Sequence, residues 1–354
     1  MWLTRRLGAA ALACISLALA RPCHAADGDF AAFLKWASEE GVEHDGRFEI
    51  ATSAEAGKGL VAARAFAPGE LLLATPRAVM LTPDSARKSE MGAMFAKAGL
   101  AGCPRGDATS NDCTALLVFH LISVYHNASA PFAPWMRVLP RELSSPMFWS
   151  EDEYEELAGC NLYDICNGWK QSVKALFQST HQKLRARFPA EFGKRSVYSL
   201  QEFLWGWGLI YSRAFDIEVP VDLERDGADS GAPLLLGGAK ERQRVMAPVV
   251  DMFNHALVES SYQYNAVARQ FELYTGRFYR EGEEVFLNYD PKSNADYLMQ
   301  YGFVVEGNAH DFVGMVASIG PDAPYYKDKE ILLKQLGFKM SDSHRLQART
   351  DMHK

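Results

Sequence analysis

The strongest constraint on the fold of this chain lies in residues 247–302, where two polar clusters each follow an apolar run. In the first cluster, Asp251, Asn254 and His255 come directly after the apolar run. In the second, Tyr289 ends a strand-like segment and precedes a short helical pattern. Apolar runs of this length form buried elements, so polar side chains at their ends lie at the edge of a core. The stretch therefore predicts a functional site at the ends of buried strands.

The first polar cluster has three local interpretations, which these residues alone leave open. Its polar side chains end a strand and cap the following turn; Asp251 and His255, four positions apart, contribute to a metal site; or the two form an acid–base pair. Zinc sites normally use three or four protein ligands. No HExxH or CxxC motif and no second histidine at ligand spacing accompanies the pair, so the sequence argues against metal.

The rest of the chain alternates between short strand patterns and longer helical patterns. Strands are predicted at residues 48–51, 60–64, 70–74 and 78–81, and again at 244–250, 262–268, 271–275 and 285–289. Helices are predicted at 27–41, 85–98, 112–126, 151–157, 169–187, 200–215 and 328–337. Residues 218–240 are rich in turn formers and predict a surface loop. Two groups of strands separated by helices indicate an α+β fold.

Five sequence blocks, taken in order, resemble the SET domain in the branch of the plant Rubisco large-subunit lysine methyltransferases. The blocks are EAGKGLVA (55–62), SRAF (212–215), DMFNH (251–255), EVFLNYD (284–290), and KSNA (292–295) with YGF (301–303). The resemblance extends over about residues 46–305. It implies methyl transfer from S-adenosyl-L-methionine to a lysine of a protein substrate, without a metal or a second cofactor.

The resemblance implies an α+β SET-domain core of short strands, split by a helical insertion at about residues 84–216. Ahead of residues 46–305 stand a leader, 1–25, and an N-terminal helix, 26–45. In this family a long helical domain follows the core and holds the protein substrate. Residues 306–354 resemble only the start of that domain, as a short, truncated helical segment.

The resemblance also implies roles for individual residues. Those implied to bind the cofactor are Gly57, Lys58, Gly59, Leu60, Arg213, Asn254, His255 and Tyr289, of which Tyr289 is the catalytic tyrosine. Those implied to contact the substrate are Arg213, Phe215, Asp251 and Tyr301. Without the family resemblance, residues 57–60 are interpreted as an ordinary hairpin turn. Arg213 is then interpreted as a basic residue that complements the dipole at a helix C-terminus.

Two positions depart from the family pattern. Ala56 stands where an acidic residue often precedes the first glycine, with Glu55 one position away, and Ile217 stands where a second basic residue is frequent. Together with the short C-terminal region, they favour an alternative function. In it the chain is a catalytically weak or inactive SET-like module that binds a peptide or the cofactor without turnover.

Lysine methylation explains why aromatic residues surround such a site. A lysine amine has a reference pKa near 10.4, so it is almost fully protonated at neutral pH and cannot attack a methyl group. Apolar walls disfavour the ammonium form by desolvation. Tyr289, Tyr301 and Phe215 are the predicted walls. Phe215 is apolar where a histidine-directed member would carry a polar residue, which favours lysine as the acceptor.

The N-terminal residues have the pattern of a targeting sequence. Arg5 and Arg6 precede an apolar stretch at 7–20 that is too short to span a bilayer, and small residues follow at Ala25 and Ala26. Cleavage near Ala25 and entry into the secretory pathway are predicted. Alternatively, the leader is an uncleaved membrane anchor or the first part of a bipartite plastid-targeting sequence. If the leader is not used, the predicted location is the cytoplasm or nucleus.

The composition limits the possible binding partners, and the cysteines depend on the redox state of the compartment. A net charge of −7 argues against a nucleic-acid binder, and no second apolar run approaches membrane length. After the leader the cysteines fall into two nearby pairs, Cys103 with Cys113 and Cys160 with Cys166, which form local disulfides in an oxidising compartment and thiols elsewhere. Asn127 begins a glycosylation sequon that has meaning only in the secretory pathway.

Overall fold

A computed structural model of the chain describes residues 27–44, 46–53, 57–103, 108–193, 196–221, 239–335 and 341–347. The predicted leader and residues 222–238 of the predicted surface loop lie outside these residues and stay predictions. The chain divides into two compact units. The larger unit comprises Met1–Tyr289 and Met299–Gly302, and the smaller comprises Asp290–Leu298 and Phe303–Lys354.

The larger unit begins with a helix and then alternates strands with a block of helices. Its helices are α1 (Asp27–Glu39), α2 (Pro83–Lys88), α3 (Glu90–Lys97), α4 (Asn111–Tyr125), α5 (Ala133–Val138), α6 (Glu151–Glu155), α7 (Asn161–Arg187) and α8 (Leu200–Arg213). Its strands are β1 (Phe48–Ser53), β2 (Gly57–Ala62), β3 (Leu71–Pro76), β4 (Phe215–Pro220), β5 (Lys240–Val245), β6 (Asn254–His255), β7 (Ser260–Asn265), β8 (Gln270–Thr275) and β9 (Phe286–Leu287). Helix α9 (Asn294–Tyr301) follows.

The strands form several small sheets instead of one large one. Antiparallel pairs join β1 to β2 and β4 to β5, and β8 lies between β3 and β7 in a three-stranded sheet. The short strands β6 and β9 pair in parallel. Isolated bridges from Val61 to Glu284 and from Phe66 to Tyr279 connect strands of the first half with strands of the second. The predicted split core of short strands is therefore confirmed.

Helices α2 to α8 form the insertion between the two halves of the core. Serine residues define several of their starts: Ser89, Ser110 and Ser199 each accept a hydrogen bond from a backbone amide in the first turn of the helix that follows. Helix α4 is apolar on almost every face and is buried nearly throughout, as expected of a helix surrounded by others. Its Phe119 contacts the rings of Phe177 and Phe203, which joins α4, α7 and α8 in one core.

Several predicted element boundaries were wrong, three of them for clear physical reasons. Residues 78–81 form a turn and a bridge at Leu81, not a strand. The strand predicted at 244–250 ends at Val245, because Pro248 has no amide to donate and Val249 adopts φ of +69°. Residues 200–215 form a helix only to Arg213, because the alternating apolar positions from Phe215 pair with β5 instead.

The cysteines and the C-terminal residues also differ from expectation. Cys103 and Cys113 form a disulfide, whereas Cys160 and Cys166 are free thiols. Six positions apart at the start of α7, the latter two are separated by roughly 9 Å of helical rise, beyond the reach of a disulfide. The smaller unit is not purely helical: besides α10 (Tyr326–Gln335) it contains an antiparallel pair, β10 (Phe312–Ser318) with β11 (Ser341–Gln347).

Candidate active site

The parallel pair of β6 and β9 brings the two predicted polar clusters together. Asn254 lies opposite Phe286, and His255 lies opposite Leu287. The chain enters β6 through a tight turn at Val250–Met252 that follows the strained backbone of Val249. Segments about thirty residues apart in sequence thus lie side by side, as the motif order predicted.

Strand β2 completes this junction from the first half of the chain. The amide of Val285 donates to the Leu60 carbonyl at 2.8 Å. The Asn254 side-chain amide donates to the Lys58 carbonyl at 3.3 Å and to Glu284 Oε1 at 2.8 Å. The predicted glycine turn and the predicted Asn-His pair therefore meet through side-chain and backbone contacts.

Gly59 lies where β2 closely approaches the side chains of Asn254 and Glu284. A Cβ at position 59 would lie 2.4 Å from Glu284 Oε1 and 2.6 Å from Asn254 Nδ2, closer than real Cβ contacts allow. The neighbouring Gly57 has φ of +73°, a conformation that favours glycine, and open space surrounds its missing Cβ. The two glycines thus have different functions: Gly59 allows close packing, and Gly57 allows the turn.

Arg213 and Asp251 form a second, largely buried part of the site. Arg213 ends α8 and donates through Nη1 to the backbone carbonyl of Asp251 at 2.5 Å, with the Asp251 carboxylate 4.0 Å away. Trp135 in α5 donates through Nε1 to Asp251 Oδ2 at 3.1 Å, while Oδ1 has no hydrogen-bond partner among the described residues. Burial raises the pKa of Asp251 to about 6, although Arg213 and Trp135 lower it.

Tyr289 lies where these elements meet. Its hydroxyl donates to the Phe253 carbonyl at 2.5 Å, and its amide donates to His255 Nδ1 at 3.1 Å. The ring lies 5.1 Å from the His255 ring and 4.8 Å from the Tyr301 ring, centroid to centroid. Burial around the hydroxyl raises the pKa of Tyr289 to about 12, which Arg213 lowers only in part. The phenol therefore stays neutral at physiological pH.

The remaining predicted substrate residues occupy different surroundings. Phe215 stands in β4, and its ring packs against Tyr262 at 5.5 Å and Phe271 at 5.2 Å. Ile217 is buried in the same strand. The Asp251 side chain is fully enclosed, so in this structure it holds Arg213 and Trp135 and does not line an open surface. Roles for Phe215 and Asp251 in holding the acceptor stay predictions.

Sequence reasoning missed two residues of the site. Glu284 is the first residue of the EVFLNYD block and accepts a hydrogen bond from the Asn254 amide. An acidic residue at the start of the segment that also carries Tyr289 was a usable signal for a site residue. Trp135 lies 116 positions from Asp251, within the helical insertion, and no local pattern marks it. Both residues support the predicted ones from neighbouring elements.

Two further observations concern ions and membranes. Among the residues that the structure describes, no group of three or more histidine, cysteine, aspartate or glutamate side chains could hold a metal ion. None of the helices in the described part of the chain has the length and hydropathy needed to cross a bilayer.

Comparison with curated proteins finds relatives over most of this chain. The actin-histidine N-methyltransferase of Danio rerio is 25% identical over 316 residues, which is 88% of this chain and 48% of the relative. The enzyme of the same name from Gallus gallus is 26% identical over 321 residues, 89% of this chain and 49% of the relative. The chain thus spans about half the length of these relatives.

Comparison with solved structures finds the same fold. The SET domain of LSMT bound to lysine and AdoHcy superposes with a TM-score of 0.72 at 23% identity, covering 92% of this chain and 68% of that one. Rubisco LSMT bound to AdoMet gives a TM-score of 0.67 at 24% identity, covering 91% and 67%. The sequence profile of the SET domain matches residues 57–290. The chain therefore belongs to the SET-domain family.

Proposed function

We propose that this protein transfers a methyl group from S-adenosyl-L-methionine to a lysine amine of a protein substrate. The observation that carries the proposal is the position of Tyr289. Its neutral hydroxyl is fixed on the Phe253 carbonyl, directly beside the parallel strands that carry Asn254 and His255. A fixed, uncharged polar group of this kind is suited to stabilising charge that develops during methyl transfer.

The chemistry of the surrounding groups fits S-adenosyl-L-methionine, which SET-domain methyltransferases use. The cofactor supplies an electrophilic methyl group on a positively charged sulfur. The half-buried Arg213 guanidinium suits its carboxylate, and backbone carbonyls with the Glu284 carboxylate suit its ammonium. Gly57 provides open space beside this turn. We assign Arg213, Asn254, His255 and the Gly57–Leu60 turn to cofactor binding.

The protein's contribution to the reaction is orientation and desolvation. With a pKa of about 12, Tyr289 is not the base at neutral pH. We infer that the acceptor ammonium loses its proton to solvent and that the rings of Tyr289 and Tyr301 favour the neutral amine. Bound at these residues, the cofactor would supply its methyl carbon to the amine nitrogen, and the electron pair of the carbon–sulfur bond would stay on the sulfur, which becomes a neutral thioether. Holding the three atoms in line supplies much of the acceleration.

Histidine is the competing acceptor, because the curated relatives are named as actin-histidine methyltransferases. An imidazole is largely neutral near pH 7, so its methylation needs orientation by a polar partner more than deprotonation. Phe215 offers no hydrogen bond and packs among aromatic rings. This apolar residue favours lysine, and structures with the same fold hold lysine or monomethyllysine.

Product analysis tests the proposal. The full chain is incubated with isotope-labelled S-adenosyl-L-methionine and, separately, with free lysine, a lysine-rich protein mixture, and actin. Mass spectrometry then locates the methyl group. Methyl-lysine in the first two samples is expected. Methyl-histidine in actin, with no methyl-lysine in any sample, would show that the acceptor is histidine and not lysine. Cofactor binding without product in any sample would instead support the non-catalytic module.

A further inference from the structure

Helix α7 carries a concentration of positive charge that the active site does not use. The helix contains five lysine or arginine residues and one acidic residue, Asp164 in its first turn, in a chain whose net charge is −7. The helix is 27 residues long, and most of its polar side chains are exposed. An exposed helix face with an excess of positive charge attracts negatively charged groups, so the face is a candidate for binding an anionic partner.

The basic residues are not spread evenly around the helix. Lys170, Lys174, His181 and Arg185 follow one another at spacings of four, seven and four, which places them on one face. Lys183 and Arg187 point away from that face. A groove of about 460 Å³ opens along its C-terminal half. The groove is lined by Phe177, Gln178, His181, Gln182, Arg185 and Ala186.

Few negative charges neutralise this face. None of Lys174, His181 and Arg185 makes a salt bridge with another residue that the structure describes, and Glu151 at the start of α6 is the acid that influences Lys170. Lys170 itself lies 4.9 Å from the Tyr154 ring. Burial, with Arg185 adding to it, lowers the pKa of His181, so that imidazole is a neutral hydrogen-bonding group at pH 7.

We propose that this face of α7 and the groove beside its C-terminal half, together called the basic groove, bind an acidic segment of the protein substrate. The proposal rests on the proposed function and adds a second contact, apart from the residues assigned to catalysis. From Lys174 to Arg185 the helix rises roughly 16 Å, the length of about five residues of extended peptide. Acidic residues at the two ends of such a segment reach the two cations, and the two glutamine amides hydrogen-bond its backbone.

The groove fits a peptide better than a nucleic acid. Single strands are held by closely spaced cations and by exposed aromatic rings on which bases stack. Here Gln178 and Gln182 lie between Lys174 and Arg185 along the helix, and Phe177 is only 7% exposed, so its ring offers no stacking surface. The acidity of the whole chain also opposes general binding of phosphate backbones.

A binding experiment with matched variants tests the groove. Fluorescein-labelled peptide EEAAEE is titrated with the full chain, and fluorescence anisotropy is read at physiological salt. The groove variant is Lys174→Gln with Arg185→Gln, and the control is Lys183→Gln with Arg187→Gln, which removes the same charge from other faces of the helix. Affinity should fall roughly tenfold in the first and less than about twofold in the second.

Other outcomes overturn the proposal in separate ways. Equal losses in both variants would mean that net charge, not the groove, attracts the peptide. No binding of EEAAEE, or tighter binding of a short oligothymidylate, would remove an acidic peptide as the ligand. Methylation of free lysine should be unchanged in the groove variant. If the parent protein also fails to methylate lysine, the proposed function is refuted. The peptide titration would still show whether the groove binds an acidic segment.

Discussion

Two buried carboxylates in this protein are held in opposite ways. Glu272, on strand β8, accepts four hydrogen bonds from Asn265, Gln270, Gln263 and Tyr274, at 2.7 to 2.9 Å. Every donor is within nine positions in sequence. Although burial by itself raises it, these hydrogen bonds lower the pKa of Glu272 to about 2. The cluster around Glu272 is locally complete.

Asp251 has the reverse arrangement. Its partners Arg213 and Trp135 come from distant helices, one of its oxygens has no partner among the described residues, and burial raises its pKa to about 6. The difference is the one expected between a structural polar cluster and the site proposed above. The hydrogen bonds of Glu272 join residues of its own hairpin, whereas the Asp251 carboxylate is buried in an unfavourable environment and lies 4.0 Å from Arg213.

The largest expected difference between the clusters concerns turnover. Tyr289→Phe removes the hydroxyl at the junction and should lower methyl transfer roughly 100-fold while leaving the fold intact. Tyr274→Phe removes the hydroxyl that donates to Glu272. It should leave turnover within about twofold and lower the unfolding free energy by roughly 1.5 kcal/mol. Labelled methyl incorporation and urea unfolding measure the two effects. Full activity in the Tyr289 variant would contradict its assigned role.

The second difference is the sign of the pH dependence. Because the folded-state pKa of Asp251 is raised, its contribution to stability grows as pH falls from about 6 toward 3.8, by up to roughly 3 kcal/mol. The folded-state pKa of Glu272 is lowered, so its contribution is present above about 4.5 and is lost as pH falls toward 2.

Urea unfolding between pH 3 and pH 7 compares the parent with Asp251→Asn and with Glu272→Gln. As pH falls, the unfolding free energy of the parent minus that of Asp251→Asn should rise. The unfolding free energy of the parent minus that of Glu272→Gln should fall. Slopes of the same sign would show that the two carboxylates do not differ in the way described.

The smallest expected effects come from glycine. Gly59→Ala pushes the ends of the Glu284 and Asn254 side chains away from β2 and should destabilise the protein by about 1 kcal/mol, with weaker cofactor binding. Gly168→Ala, in an open position on α7, should stabilise it by about 0.5–1 kcal/mol. Thermal unfolding of both variants, with calorimetry for the cofactor, provides the check. A Gly59→Ala variant as stable as the parent would mean that the junction tolerates a Cβ.

The sequence identified the residues of the junction better than it identified their supports. Asn254, His255 and Tyr289 were predicted because their motifs occur in a fixed order, and the structure brings these residues together. The contact of Trp135 with Asp251 spans 116 positions and depends on how the helical insertion packs. Local patterns do not encode such pairings, because many partners at that distance satisfy the same hydrogen bond.

Boundaries failed where one pattern overlapped another. The strand FDIEVP follows α8 without a break, so its alternation at 215–220 was obscured by the helical period before it. Pro248 was a usable signal that the strand begun at β5 had ended, because proline cannot donate in a ladder. The free Cys160 and Cys166 likewise follow from the start of α7 at Asn161, which spacing alone did not reveal.

Calorimetric titration of S-adenosyl-L-methionine into the full chain tests the contrast between the clusters most directly. Asn254→Ala removes the amide that joins Glu284 to the glycine turn, and Asn265→Ala removes the matched amide from Glu272. The parent and Asn265→Ala should bind the cofactor alike, and Asn254→Ala should bind it roughly tenfold more weakly. No binding by a folded parent, or equal losses in both variants, would contradict the assignment of the active site.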